Sequence, residues 1–181
     1  MSTRQQSVTS VSLPAESSVT TLYPTIHLAD AYSIALPSGA SKDPEVLARF
    51  IFSQLPSWMI GLMRVRDTLV SAFGLKTAKQ LKALGANDQQ DRIGAFKLYS
   101  RGPREVVMGE DDKHLDFRLS LLCSNTPSPL LEQRLTLSTV VHCRNRLGRL
   151  YVFLIAPFHR LVTRSSLSHA AKVGWPAAAE R

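Results

Sequence analysis

The chain has little cysteine: Cys123 and Cys143 are its only two in 181 residues. Two thiols cannot make a disulfide framework, and no second Cys or His falls at zinc-finger spacing from either. Both sit in strand-like apolar runs, where cysteine acts as a small buried hydrophobe. Long apolar runs are also missing. The longest, Leu150 to Phe158, has nine residues, against the roughly 20 that a membrane-spanning helix requires. The N-terminus, "MSTRQQSVTSVSLPAESSVTT", lacks the apolar core of a secretory signal. These absences predict a cytoplasmic protein with no membrane partner. No Gly-rich dinucleotide fingerprint, phosphate loop or nucleophile elbow occurs, so neither a cofactor nor a resident metal is expected.

The composition present is that of an ordinary globular domain, 44% hydrophobic and 20% charged, and a chain of this length can bury a real core. The net charge of +8 is unevenly spread: Arg144 to Lys172 holds six basic residues and no acid, whereas "GEDDKHLD", residues 109 to 116, has four acids in eight positions. Segregated charge of this kind suits two regions that face each other within a fold. A nucleic-acid partner is not expected, because the aromatic and basic interleaving of single-strand binders is absent and no zinc module or clear helix-turn-helix occurs.

Residues 1–21, rich in Ser, Thr and Gln, read as a loose N-terminal arm. "TIHLADAYSIAL" follows as a first strand over about residues 25–36. Asp43 before Pro44 is an N-cap with proline at the first helical position, and Val46, Leu47, Phe50 and Ile51 recur at helical spacing. After Pro56 a second helix is expected from Ser57, carrying "WMIGLMRVRDTLVSAF" to a cap at Gly74. "KTAKQLKALG" fits a short helix or a loop. The period then changes from 3.6 to 2. "RIGAFKLYS", "EVVMG", "HLDFRLSLLC" and "RLTLSTVVHCRN" read as antiparallel strands with one apolar face. In the third, Leu115, Phe117, Leu119 and Leu121 point one way and His114, Asp116, Arg118 and Ser120 the other. In the last, Leu135, Leu137, Thr139, Val141 and Cys143 share a face. Residues 147–172 are too long for a strand. Leu147, Leu150, Tyr151, Leu154, Phe158, Leu161 and Val162 predict a long final helix, capped near Asn145 and carrying Pro157 inside it. The expected order is β-α-α-β-β-β-β-α, an α+β chain with a single domain over residues 22–175 and a tail at 176–181.

That order resembles the helix-grip fold of the START and Bet v 1 (SRPBCC) superfamily, in which a curved antiparallel sheet wraps a long C-terminal helix. "PSWMIGLMRVRDTLVSAFGLK", "GEDDKHLDFRLSL" and "TVVHCRNRLGRLYVFLIAPFHRLV" resemble the bacterial family catalogued as domain of unknown function 2867. The resemblance spans about residues 25–175. It implies an apolar cavity between sheet and helix. Family members also occur fused behind a nicotinamide-binding, dehydrogenase-like domain, which implies a dehydrogenase-like partner; a homodimer is the other expected association.

Three constellations are candidates for function. The first is the space between Phe96, Leu98, Phe117, Leu119, Leu137 and Val141 on the sheet and Tyr151, Leu154 and Phe158 on the helix, which is either a filled core or a pocket. Trp58, Met59, Leu62 and Met63 on the second helix are its wall or plain packing. The second is Asp112, His114 and Asp116 on one strand. A hairpin centred on Ser128 puts His114 opposite His142, a group suited to acid–base work or a divalent metal, or to simple cross-strand pairs with Arg118 and Arg144. The third is His159 with Arg160 after Pro157. Arg64, Arg66 and Asp67 make either a helix salt bridge or an arginine clamp on an acidic head group. The leading expectation is binding of a small hydrophobic or amphipathic molecule through Trp58, Arg66, Phe96, Phe117, Tyr151, Phe158 and His159. The alternatives are an enzyme of cyclase, isomerase or hydrolase type using His114 with Asp112 or Asp116, and a protein-interaction module.

Overall fold

A computed structural model describes residues 7–59, 61–62, 92–125 and 133–178. Seven strands form one sheet: β1 (Thr9–Val11), β2 (Leu28–Ala35), β3 (Arg92–Ile93), β4 (Phe96–Arg101), β5 (Glu105–Asp111), β6 (Leu115–Asn125) and β7 (Gln133–Cys143). Their spatial order is β1-β2-β7-β6-β5-β4-β3, and every neighbouring pair is antiparallel. Consecutive strands from β3 to β7 are therefore joined as hairpins, and β2 closes against the last of them. The helices α1 (Pro44–Ser53) and α2 (Arg146–Val173) pack against the sheet.

Both helices start where the sequence predicts. The Asp43 carboxylate accepts the Glu45 and Val46 amides at 2.8 and 3.3 Å, ahead of Pro44. Asn145 caps α2 by accepting the Gly148 amide at 2.9 Å. Such a cap stabilises a helix by about 1 kcal/mol. Gly174, at φ 101°, ends α2 in a conformation that side chains with a Cβ rarely adopt.

Period-2 alternation gives the sheet its helix-covered face. Leu28, Asp30, Tyr32 and Ile34 of β2 lie in register with Val141, Thr139, Leu137 and Leu135 of β7. These in turn pair with Phe117, Leu119, Leu121 and Cys123 of β6. The main core joins this face to Leu47 and Ile51 of α1 and to Leu167 and Ala170 of α2. A smaller cluster joins Leu28, Leu115, Val141 and Cys143 to Tyr151 and Val152 at the start of α2, and Phe117 touches both clusters. Fully burying a Leu, Ile or Val side chain contributes about 1.5–3 kcal/mol, so these clusters supply much of the stability.

The orientation of α2 differs from the expected stripe. Its sheet side is Gly148, Tyr151, Val152, Ile155, Ala156, His159, Thr163, Ser166, Leu167 and Ala170. Leu150, Leu154, Phe158 and Leu161, expected to face the sheet, are exposed. The helix is rotated because Gly148 seats it against the β5–β6 turn: a Cβ at Gly148 would lie 2.3 Å from the His114 carbonyl oxygen. No described helix is long and apolar enough to cross a membrane.

Three further expectations are revised. Residues 9–11 pair with β2, and Leu13, Val19, Tyr23 and Ile26 pack on Val107 and Val140 across the sheet's second face, so residues 7–21 are not a loose arm. That face is accordingly covered, and Asp116, Arg118 and Ser120 are buried on it where a solvated surface was expected. The C-terminal end is also held: Ser41 donates to the Pro176 carbonyl and Ala178 to that of Gly39, both at 2.8 Å. Of the expected second helix, residues 57–59 and 61–62 are helical. Met63, Arg64, Arg66, Asp67 and the "KTAKQLKALG" segment lie outside the described residues.

Candidate functional site

The trio on β6 does not assemble as expected. The β6–β7 register places Asp116 opposite His142, and the Arg144 amide donates to the His114 carbonyl. The expected centre at Ser128 is off by one residue, which shifts every pairing by two. Asp116 instead takes a two-pronged bond from Arg144, both contacts at 2.9 Å. His114 lies in the β5–β6 turn, its Nδ1 2.8 Å from the Asn145 amide nitrogen. Because Asn145 Oδ1 already accepts from Gly148, its nitrogen must be the donor and His114 Nδ1 the acceptor. Asp112 accepts the Lys113 amide at 2.6 Å in the same turn. Each group thus serves a turn, a cap or an ion pair. Among the described residues no His, Cys, Asp or Glu group is arranged to hold a metal.

The covered second face is internally matched. Arg118 lies 3.6 Å above the Tyr99 ring and 2.8 Å from Asp111, which also accepts the Tyr99 hydroxyl at 2.8 Å. Gly109 makes room for it, since a Cβ there would lie 2.1 Å from the Phe117 carbonyl oxygen and 3.0 Å from Arg118 Cδ. Burial alone would push the Glu105 carboxyl up, but hydrogen bonds from Ser120, Ser17 and Ser18 outweigh it and hold the group below its ordinary value. Burial pushes the Cys123 thiol up to about 11 and raises that of Cys143. Both thiols are therefore poor nucleophiles.

One polar constellation lies between the sheet and α2. Asp30 of β2 and Thr139 of β7 are direct cross-strand partners on the helix-covered face, surrounded along their strands by Leu28, Tyr32, Leu137 and Val141. His159 descends from α2, its Nε2 3.2 Å from Asp30 Oδ1, with Thr163 Oγ1 3.4 Å from the same nitrogen. An ionised carboxylate only accepts, so His159 Nε2 carries the proton in this bond. The Asp30 side chain is only 8% exposed. Its second oxygen, Oδ2, and the Thr139 hydroxyl are buried with no hydrogen-bond partner among the described residues. A buried polar atom without a partner costs about 1–3 kcal/mol, so this layer is less stable than an apolar one would be.

The expected ligand-binding residues distribute as follows. His159 belongs to this constellation. Phe117 lies next to Val141 on β7 and meets Phe96 edge-on at 5.8 Å, while Phe96 meets Phe52 at 5.2 Å. Tyr151 is buried in the smaller cluster. Trp58 and Phe158 are exposed, and Phe158 sits on the outward side of α2. Arg66 lies outside the described residues. Asp30 and Thr163 are not among the residues named from the sequence, and Thr139 is named there only as a member of the last strand's apolar face. The signal was present: Asp30 interrupts the inward stripe Leu28, Tyr32, Ile34, a position where a carboxylate is costly unless partnered.

The fold and this junction define an α+β protein built from a seven-stranded antiparallel sheet and a long C-terminal helix, with a buried carboxylate–imidazole pair between them. The chain belongs to the family described as Protein of unknown function (DUF2867), whose model matches residues 22–166 and so takes in Asp30, Thr139, His159 and Thr163. No curated protein and no solved structure matches it.

Proposed function

We propose that the protein binds a small amphipathic molecule between the sheet and α2, on a scaffold of the helix-grip type. The strand order supports that scaffold: the strand preceding α1 closes against the last strand, and the long final helix crosses the face they share. One observation carries the binding reading. Asp30 Oδ2 and Thr139 Oγ1 are buried without partners among the described residues, in the layer where two apolar clusters meet α2. The apolar body of a ligand would lie along the Phe96 and Phe117 side, with its polar end at Asp30 and His159. Native mass spectrometry of the purified protein, followed by thermal denaturation with apolar compounds, tests it. At a hundredfold excess over Kd a ligand stabilises by about 2.7 kcal/mol, or about 5–10 °C for a chain of this size. A protein that carries nothing and whose Tm no such compound moves would refute the reading.

The outward side of α2 supports a second reading, association with another copy of the chain. Leu150, Phe153, Leu154, Phe158 and Leu161 make one exposed stripe, with Phe153 75% exposed. Stripes of this kind on soluble proteins mark contact surfaces. Sedimentation equilibrium of the wild type against Phe153→Asp decides it: a concentration-independent monomer removes this reading.

A further inference from the structure

We infer that the Asp30 site selects a ligand whose polar end is an uncharged hydroxyl, an aliphatic alcohol or a phenol, over one ending in a carboxylate or an amine. This rests on the binding reading above and adds the chemistry of the head group. Asp30 Oδ1 is occupied by His159 Nε2 at 3.2 Å, and Thr163 approaches the same nitrogen at 3.4 Å. The group left over is a carboxylate oxygen with no donor of its own among the described residues. An ionised carboxylate accepts and cannot donate, so the ligand must donate. Carboxylates, ketones and esters have no proton to give, and a carboxylate would also be repelled at close range. Thr139, directly across from Asp30, has a hydroxyl that can either donate or accept. A hydroxyl head group can therefore donate to Asp30 Oδ2 and accept from Thr139 Oγ1, satisfying both orphaned atoms at once.

The charges nearby weigh against an amine. Burial first, and Asp30 after it, raise the Tyr32 hydroxyl above its ordinary value, with Arg160 and Arg164 opposing them. With Asp30 Oδ1 already taken by His159 Nε2, an ammonium head group in this layer would gain one shared carboxylate and lose its hydration, a poor exchange. Arg160 and Arg164 themselves are exposed and remain in water, so among the described residues no buried guanidinium meets an acid here.

The experiment is calorimetric titration of the full chain with 1-decanol, decanoate and decylamine, which share an apolar body and differ in the head group. The wild type is expected to bind 1-decanol at least about tenfold more tightly than either ion, a difference of one hydrogen bond to a charged group. Asp30→Asn places an amide nitrogen where Oδ2 stood and is expected to cut the alcohol-over-carboxylate ratio by about tenfold or reverse it. Thr139→Val, which retains the shape at β7, is expected to weaken 1-decanol without strengthening decanoate, and stands in if Asp30→Asn does not fold. Equal binding of the three probes, or a ratio unmoved by these substitutions, overturns the head-group inference and leaves the binding reading standing. Failure of all three to bind overturns the binding reading itself, the orphaned atoms then being met by water only.

Discussion

Gly148→Ala separates helix propensity from the seating of α2 on the sheet. In a helix, exchanging Gly for Ala ordinarily stabilises by up to about 1 kcal/mol. At Gly148 the new Cβ would stand 2.3 Å from the His114 carbonyl oxygen and 3.1 Å from its carbon. Those are backbone atoms of the β5–β6 turn, and the same carbonyl accepts the Arg144 amide at 2.9 Å, so the turn cannot simply yield. The first turn of α2 would have to retreat by about 1 Å, a strain of about 1–3 kcal/mol. That retreat would also open the 2.8 Å contact of Asn145 with His114 and weaken a cap contributing about 1 kcal/mol. Against the propensity gain, the net expectation is a loss of about 1–3 kcal/mol. Gly61 supplies the control, since it is helical and a Cβ there meets nothing within 4 Å. Gly61→Ala should be neutral or stabilising by about 0.4–1 kcal/mol. Urea unfolding measures both as a change of midpoint at constant slope. A Gly148→Ala protein as stable as the wild type would refute the close seating and, with it, the rotation of α2 that aims His159 at Asp30.

Three further outcomes are expected. Desolvation, then Arg149 and His142, lower the His27 pKa below its ordinary value of 6.5, and its Nδ1 accepts the Cys143 amide at 3.0 Å. Its unfolded form protonates first as pH falls, so stability present above pH 6.5 is lost as pH drops from there toward the lowered folded value. Unfolding measured across that window should show a slope that His27→Gln reduces, and an unchanged slope contradicts the assignment. Glu105→Gln should destabilise by about 1–3 kcal/mol, because the Ser17 and Ser18 contacts that hold the N-terminal segment lose a charged acceptor. Faster proteolysis within residues 7–21 reads it out, and wild-type protection would count against it. Replacing Asp30 and His159 together by Leu should leave stability unchanged or raise it by about 1–4 kcal/mol, as for other buried polar pairs exchanged for apolar residues, while abolishing ligand binding. A marked loss of stability would show the pair to be structural.

Much of the architecture was legible because local rules and tertiary packing agree. Asp43 with Pro44, Asn145, and the alternating residues of "HLDFRLSLLC" each specify one structure on their own, and the fold uses them as written. The failures come where a distant contact decides. Residues 7–21 carry too few apolar side chains to suggest a packed layer, yet Val19 is fully buried because Val107 and Val140 offer it a surface. Hairpin register depends on residues 126–132, whose composition does not count the turn, so the expected pairing of His114 with His142 is two residues out. The rotation of α2 was hidden because Leu150, Phe153, Leu154 and Phe158 make the segment apolar nearly all round, and a helix apolar on every side has no face to read. Gly148 was the marker that decides it, and its meaning depends on a carbonyl 34 residues earlier in the chain, at His114. The Asp30 site was half legible: His159 and the Thr139 stripe were in view, but the carboxylate that joins them lies on the opposite end of the chain.

A bound ligand should occupy the layer between the sheet and α2 at the Asp30–His159 pair. Backbone amide spectra of the isotopically labelled full chain, titrated with 1-decanol, test it most directly. Saturable shifts are expected to concentrate at Asp30, Thr139, His159 and Thr163, with the largest changes lost in Asp30→Asn. Shifts confined to the outward residues Leu150, Phe153, Leu154, Phe158 and Leu161, or no saturable shift at all, would contradict it.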